Sequence, residues 1–518
     1  MVFPWLSVIG AVPLVGAGAV ALLPKGRDLL AKQLALSASL IVLVLTVAMA
    51  VSFDPGGPAY QFTQTVPWIP AFGIHFAVGV DGIALVLIGL TAVLVPAVLL
   101  GGWGEADSET SSRSVKTYFS LLLLLEFMAI GVFAARDVFL FYVFFEAMLV
   151  PMYFIIGAHG GAQRSYAAVK FLLYSLFGGL LMLAAVIALY AQSAQGPGGG
   201  TFLVSELVNL DIGFTTQVWL FLGFFIAFAI KAPMWPFHTW LPDAAAEAPP
   251  AGGAVLLVGV LDKVGTYGML ALCLPLFPQA AQFFTPVIIV LSVIGVLYGA
   301  LLAIGQTDLK RLIAYTSVSH FGLITLGIFA MTTQGQVGAT LYMVNHGFVT
   351  GALFLIVGFM IARRRSQRIA DYGGVYSVAP VLAGTFLVAG LAGLAMPGLN
   401  AFVSEFLVLV GTFTRYQVAA ALAAVGIILA ALYILWMYQR TMTGPVRDQV
   451  QGMRDLSARE LAAIVPLLVI IVGMGIFPKP VIEMINPAVE ETMAQVGVSD
   501  PTPAHQVAES MSVTEGSK

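Results

Sequence analysis

The sequence is poor in charge. Only 9% of its 518 residues are Asp, Glu, Lys or Arg, where a soluble globular domain is nearer a quarter charged. With 59% hydrophobic residues and a mean hydropathy of +0.96, a water-soluble form would expose more apolar surface than water tolerates, so lipid must be the solvent. There is one cysteine, Cys273. A single thiol cannot form an intrachain disulfide, hold an iron–sulfur cluster or build a structural zinc site. The six histidines are scattered, with no metal-ligand pair at helical spacing. No glycine loop opens a helix after a strand to cradle phosphate. The net charge of −3 gives no sign of nucleic-acid binding. No basic region precedes the apolar run from Met1 to Leu23, and Lys25 and Arg27 follow it. That pattern marks a first membrane span rather than a cleaved signal.

What the sequence has instead is a succession of apolar runs. They fall at about 4–23, 31–52, 79–102, 115–134, 137–157, 166–192, 217–237, 250–276, 284–305, 309–331, 336–361, 378–415, 417–441 and 458–477. Each can cross a bilayer, which takes roughly 20 apolar residues. The pattern predicts an all-α integral membrane protein of about fourteen transmembrane helices. Span 7 meets Pro233 and Pro236. Span 12 is too long for one crossing and carries Pro397-Gly398 midway. Proline removes a backbone donor and clashes with the preceding turn, so both helices should break. Broken helices at membrane depth are tolerated where they line a polar cavity. The breaks lie five spans apart, which suggests two inverted five-helix repeats, spans 4–8 and 9–13, as in many transporters.

The expected organisation is therefore three helices in 1–114, a first repeat in 115–276, a second in 284–441, a last span in 442–480 and an extracytoplasmic tail in 481–518. The end of that tail reads as loose. Basic residues set the orientation. Lys25, Arg27 and Lys32, Arg113 and Lys116, Arg164 and Lys170, Lys310 and Arg311, Arg363 to Arg365 with Arg368, and Arg440, Arg447, Arg454 and Arg459 fall at alternate connections. Only Arg136, Arg415, Lys479 and Lys518 lie opposite. The asymmetry puts both termini outside the cytoplasm.

Against this apolar background, ionisable residues inside spans stand out, because each costs about 2.5–3.5 kcal/mol to insert on translocon scales. They are Glu126 in span 4, Glu146 in span 5, Lys231 in span 7, Asp262 and Lys263 in span 8 and Glu405 in span 12, with His320 and His346 in spans 10 and 11. Glu146, in FYVFFEAMLVPMYF, and Lys231, in FFIAFAIKAPMWPFHTW, can hold each other charged. If they separate, the lysine loses its counter-charge and can release a proton. The plainer alternative is a static ion pair, but buried pairs rarely add net stability over apolar packing. Lys263 lies too deep to snorkel and suits a proton relay. Asp262 is its local partner or faces another helix, since adjacent helical residues point about 100° apart.

Glu405 follows the second break, where a helix restarting at Asn400 favours a nearby carboxylate. It reads as a proton carrier, or with Ser404 as a cap of the half-helix. His320 and His346 can pass a proton through either ring nitrogen, with Tyr315, Ser317, Ser319 and Asn345 near in sequence to hold water. Glu126 couples to Glu146 or to a neighbouring protein. His238 gates proton entry or else packs between Trp235 and Trp240. Asp81, in GVDGIAL, reads as a helix cap, and His75, His159 and His505 as solvated. Together the titratable groups form a proton wire in the membrane plane.

Several of these stretches resemble a known family. KAPMWPFHTWLPDAAAEAPPAGGAVLLVGVLDKVGTYG is similar to the central signature of the antiporter-like subunits of proton-pumping NADH:quinone oxidoreductase, respiratory complex I. FYVFFEAMLVPMYFIIG, GVDGI and DLKRLIAYTSVSHFGLI agree with it, and the resemblance covers roughly residues 75–480. Mrp-type cation/proton antiporter subunits and membrane-bound hydrogenase subunits share the superfamily and give the alternative reading. Subunits L and N carry a lysine in span 12. GLNAFVSEF, with Glu405, instead resembles the subunit M type, counterpart of mitochondrial subunit 4. The long lateral helix of subunit L is also lacking.

The resemblance implies Glu146 and Lys231 as a coupling pair, Lys263 with His320 and His346 as the central relay, and Glu405 as the distal site. Asp262 departs from the family pattern, where an apolar residue is more usual. The resemblance also implies FMN, iron–sulfur clusters and quinone in partner subunits, subunits L and N as neighbours, and a bacterial inner membrane.

Overall fold

A computed structural model describes residues 3–107, 114–196 and 199–501. Arg113, His505 and Lys518, used above, lie outside the described residues. Among the described residues, thirteen helices are long and apolar enough to cross a membrane. They are Trp5–Leu22, Asp28–Val51, Gly82–Gly101, Val115–Ala134, Val138–His159, Arg164–Ser193 and Phe214–Lys231 (spans 1 to 7), then Pro250–Leu276, Pro278–Ile304, Leu309–Phe329 and Thr333–Arg364 (spans 8 to 11), and Gln417–Met442 and Ala458–Ile476 (spans 13 and 14). The shorter helices Pro380–Gly393 and Asn400–Phe413 make up span 12, which gives the expected fourteen.

Both breaks occur where proline predicted them, and both use the same backbone hydrogen bonds. Past Lys231, the Met234 amide donates to Ala229 at 2.9 Å and the Phe237 amide to Met234 at 2.6 Å. Within span 12, the Met396 amide donates to Leu391 at 3.0 Å and the Leu399 amide to Met396 at 3.1 Å. In each case a wide turn spanning five residues is followed by a tight one spanning three. A second half-helix then begins, at Trp240 and at Asn400 respectively. The span 12 break also holds Ala395 in the left-handed region, at φ 57°, beside Gly398 at φ 94°. A Cβ makes that conformation costly, so Ala395 marks strain held in place by its surroundings.

The core is layered by polarity. The 18-residue apolar windows of spans 8, 10 and 11 are 94% buried, while that of span 14 is 28% buried. The most enclosed helices are thus the ones carrying Lys263, His320 and His346. Span 8 has three π-helical stretches, Pro250–Ala254, Leu257–Leu261 and Met269–Cys273. Such wide turns are rare and concentrate at functional sites. Its start is capped by Glu105, which accepts from the amides of Ala251 and Gly252 at 2.7 and 2.9 Å and from the Tyr118 hydroxyl at 2.6 Å.

Two elements were absent from the sequence reading. Gln61–Ile69 and Ile74–Val80 form an antiparallel hairpin, β1 and β2, between spans 2 and 3, so the chain is not wholly helical. Lys479–Val496, which starts at the end of the expected last-span segment and runs into the expected tail, is a helix packed on spans 3 and 11. Its close approach needs Gly82, where a Cβ would collide with the Met484 carbonyl.

Candidate proton-transfer site

Asp81 caps span 3 as expected, accepting from the Ala84 amide at 2.7 Å. Glu126, Lys231, His238, Asp262, Lys263, His320, His346 and Glu405 are buried and Glu146 is half-buried, and the structure gathers them unevenly. The tightest group joins spans 8, 10 and 11. Lys263 is fully enclosed, and its Nζ lies 2.7 Å from His346 Nδ1 while donating to the Val258 carbonyl at 2.5 Å. The rings of His320 and His346 meet edge to face at 5.3 Å between centroids. His320 Nε2 lies 3.4 Å from the Tyr433 hydroxyl of span 13. An ammonium, two imidazoles and a phenol thus follow one another across four helices.

Asp262 does not pair with Lys263. Both its oxygens are buried without a protein donor among the described residues, and it points away as the helical rotation requires. The charge of Lys263, and less strongly that of Lys231, still acts on it.

Glu146 and Lys231, expected as an ion pair, are not in contact. Lys231 Nζ and Glu146 Oε1 have no hydrogen-bond partner among the described residues. The reason lies in span 6. Gly178 packs on Ala227 and Ile230 of span 7, and a Cβ at Gly179 would run into the Glu146 carboxylate. The two glycines open a slot into which Glu146 turns, while Lys231 Nζ lies 4.6 Å from the Phe145 ring centroid. Sequence reasoning missed Gly178-Gly179; a glycine pair mid-span was its only visible trace. Gly265 plays a similar part, since a Cβ there would meet the Phe228 carbonyl and the Ala232 amide at the span 7 break.

At the second break, a network of neutral amides surrounds the start of Asn400–Phe413. Asn345 Nδ2 donates to the Asn400 carbonyl at 2.7 Å and to Ser404 Oγ at 3.1 Å, and Asn400 Nδ2 donates back to Asn345 Oδ1 at 3.1 Å. Glu405, one residue beyond Ser404, is buried and shares its surroundings with Tyr342 and Tyr433. Tyr433 therefore meets His320 and lies within the electrostatic reach of Glu405. Of the hydroxyls named from the sequence, Ser317 and Ser319 turn instead to backbone carbonyls.

Glu126 is buried, and neither of its oxygens has a protein partner among the described residues. His238 is not held between the tryptophans. Its ring meets the Tyr298 ring at 5.1 Å, and the Trp240 indole donates to the Ile230 carbonyl at 2.9 Å. His75 and His159 are more engaged than expected: His75 Nδ1 lies 3.0 Å from the Gly73 carbonyl, and the His159 ring packs on Tyr118 at 4.8 Å.

The half-helix Trp240–Glu247 carries a further group that sequence reasoning passed over. Asp243 bonds Lys170 of span 6 and Arg311 of span 10, each at 2.7 Å. Burial works to raise the Asp243 carboxyl, but hydrogen bonds and charge from Lys170 and Arg311 outweigh it and hold the group below the usual carboxylate value. Among the described residues, no three His, Cys, Asp or Glu side chains gather into a metal-ion site.

Three comparisons bear on this arrangement. A family model described as NADH:quinone oxidoreductase/Mrp antiporter, TM, matches residues 135–431. The chain is 53% identical to NADH-quinone oxidoreductase subunit M of Mycobacterium tuberculosis, over 97% of each chain. It is 40% identical to NADH-ubiquinone oxidoreductase chain 4 of Arabidopsis thaliana, over 93% of this chain and 96% of that one. In fold it is similar to a chain of respiratory complex I from Thermus thermophilus solved with bound NADH. That match has a TM-score of 0.87 at 30% identity and covers 95% of this chain and 100% of the other.

Proposed function

The chain belongs to the NADH:quinone oxidoreductase/Mrp antiporter family, in its subunit M branch, and from that premise we propose how its buried residues carry protons. It is a proton-translocating membrane-arm subunit of NADH-quinone oxidoreductase. In our reading it belongs to the translocase machinery and holds no redox site. FMN, iron–sulfur clusters and quinone reside in partner subunits, and its single cysteine agrees with that. Its neighbours are antiporter-like subunits L and N, and its home is a bacterial inner membrane with both termini extracytoplasmic.

Residues 115–276 and 284–441 act as two half-channels. Glu146 and Lys231 are the coupling pair. When Glu146 leaves the glycine slot and approaches Lys231, the ammonium is held charged. When it returns, the buried ammonium is left without a counter-charge and gives up its proton. Lys263, His346 and His320 relay that proton, Tyr433 bridges to Glu405, and Glu405 hands it on. Glu126 links Glu146 to the neighbouring subunit, and His238 admits protons near the first break.

The observation that carries this reading is the contact of Lys263 Nζ with His346 Nδ1 at 2.7 Å on the most enclosed helices. A fully buried lysine beside an imidazole adds little to stability, but it is suited to exchanging a proton. The test is gentle purification of the assembled complex carrying Glu146→Gln or Lys231→Ala. Flavin and iron–sulfur proteins should accompany the chain, and both pumping and NADH oxidation should fall together. Wild-type coupled activity in both variants would overturn the roles assigned. Purification without any flavoprotein, with sodium-dependent exchange, would point to a secondary antiporter instead.

A further inference from the structure

We propose that the chain binds one anionic phospholipid at the end of span 13 on its basic face. Three connections converge there around a cavity of about 590 Å3. Thr307 comes from between spans 9 and 10, Gly373 from between spans 11 and 12, and Gln439, Arg440, Thr443 and Arg447 from the end of span 13 and beyond. Among the described residues, no carboxylate lines it. Arg440 Nε is buried with no protein acceptor among the described residues. Its guanidinium lies 4.1 Å from the centroid of Trp436, so the ring holds it beside the cavity. Arg447 is fixed at the rim by a hydrogen bond to the Ala370 carbonyl.

A cavity of this kind suits a phosphodiester. Guanidinium groups give it charge-assisted hydrogen bonds in a planar fork, and a buried N–H without a partner is costly until an acceptor arrives. What makes the ligand a lipid is the continuation of the site. Trp436 and Gln439 also border an open apolar groove of about 430 Å3 that runs along Ala431, Leu432 and Leu435. Leu432 and Leu435 are about half exposed, on a helix whose outer side faces acyl chains. A cationic head pocket, a tryptophan at headgroup depth and an apolar trough along the helix match the parts of a phospholipid in order. Two guanidiniums at the head pocket would repel the cation of a zwitterionic headgroup, so the lipid is anionic. A neighbouring protein would have to bring an acidic side chain and a narrow apolar ridge to the same place.

The experiment is native mass spectrometry of the intact complex, purified in mild detergent and exposed to vesicles of phosphatidylglycerol or of phosphatidylcholine. Wild type should retain one phosphatidylglycerol more than the Arg440→Gln/Arg447→Gln variant, and phosphatidylcholine should show no such difference. Leu435→Trp, which fills the groove and leaves both charges, should also lose the lipid. Arg440→Lys keeps the charge without the planar fork and should retain the lipid more weakly than wild type but better than Arg440→Gln/Arg447→Gln, which separates a lost charge from a misassembled complex. Equal phosphatidylglycerol retention in wild type and in Leu435→Trp would overturn the proposal. So would equal effects on both lipids, or a neighbouring chain cross-linked to Leu432 in place of lipid.

Discussion

The two helix breaks share one backbone and differ in chemistry. Each has the same pair of unusual hydrogen bonds centred on a methionine, Met234 or Met396, and each restarts a half-helix that carries a carboxylate. In the first, Asp243 is clamped between Lys170 and Arg311, while Lys231, at the end of the preceding half, has no hydrogen-bond partner among the described residues. In the second, the network of Asn345, Asn400 and Ser404 is neutral, and Glu405 stands without a cation in ion-pair contact among the described residues. The same scaffold thus follows a lysine without an ion-pair partner by a fixed carboxylate at one break and carries an unpaired carboxylate at the other. Ion pairing fixes a charge, and a buried group without a counter-ion is the one whose charge can change.

That contrast can be tested from its strongest consequence downwards. Lys263→Met should abolish the relay between the two breaks. Proton uptake in proteoliposomes and NADH oxidation should both fall about a hundredfold, as for loss of a positioned proton-transfer group. Glu405→Gln should lower both by about tenfold, equivalent to about 1.4 kcal/mol of barrier, while Asp243→Asn in the same assay should leave turnover close to wild type. If Asp243→Asn were as damaging as Glu405→Gln, the distinction between fixed and free carboxylates would fail.

Gly179→Ala should crowd Glu146 out of its slot. Overpacking of this kind costs about 1–3 kcal/mol, and a lower thermal midpoint of the complex would report it. The smallest effect concerns pH. Asp243 is held below its unfolded value, so its contribution to stability is complete above about pH 4. It is lost as the pH falls through the lower native value. Because the cluster is partly exposed, the contribution is about 1 kcal/mol or less. Thermal midpoints measured downwards from pH 6 should fall more steeply for wild type than for Asp243→Asn.

Much of this fold could be read from the sequence because bilayer physics leaves few options. Apolar runs of spanning length were enough to place the spans, and Pro233, Pro236 and Pro397 marked both breaks, although Pro13, Pro96, Pro286 and Pro466 sit in spans that run on unbroken. Burial of Lys263, His320 and His346 followed from their apolar surroundings, and the Asp81 cap from its position before a helix. What could not be read depended on side-chain direction or on contacts distant in sequence. Whether Glu146 meets Lys231 is decided by a glycine slot on a third helix. Glu105 caps a helix 146 residues away. The hairpin from Gln61 to Val80 contains Pro67 and lacks clean alternation, and Lys479–Val496 carries Pro480 and Pro487, which spoil a helical reading.

In the proposed relay, Glu146 and Glu405 gain and lose protons within the membrane while the complex turns over. Infrared difference spectroscopy of the reconstituted complex, triggered by NADH, observes this directly. A carboxyl band that appears on turnover in wild type and is missing in both Glu146→Gln and Glu405→Gln is the predicted result. A difference spectrum that is the same in wild type and both variants would contradict it.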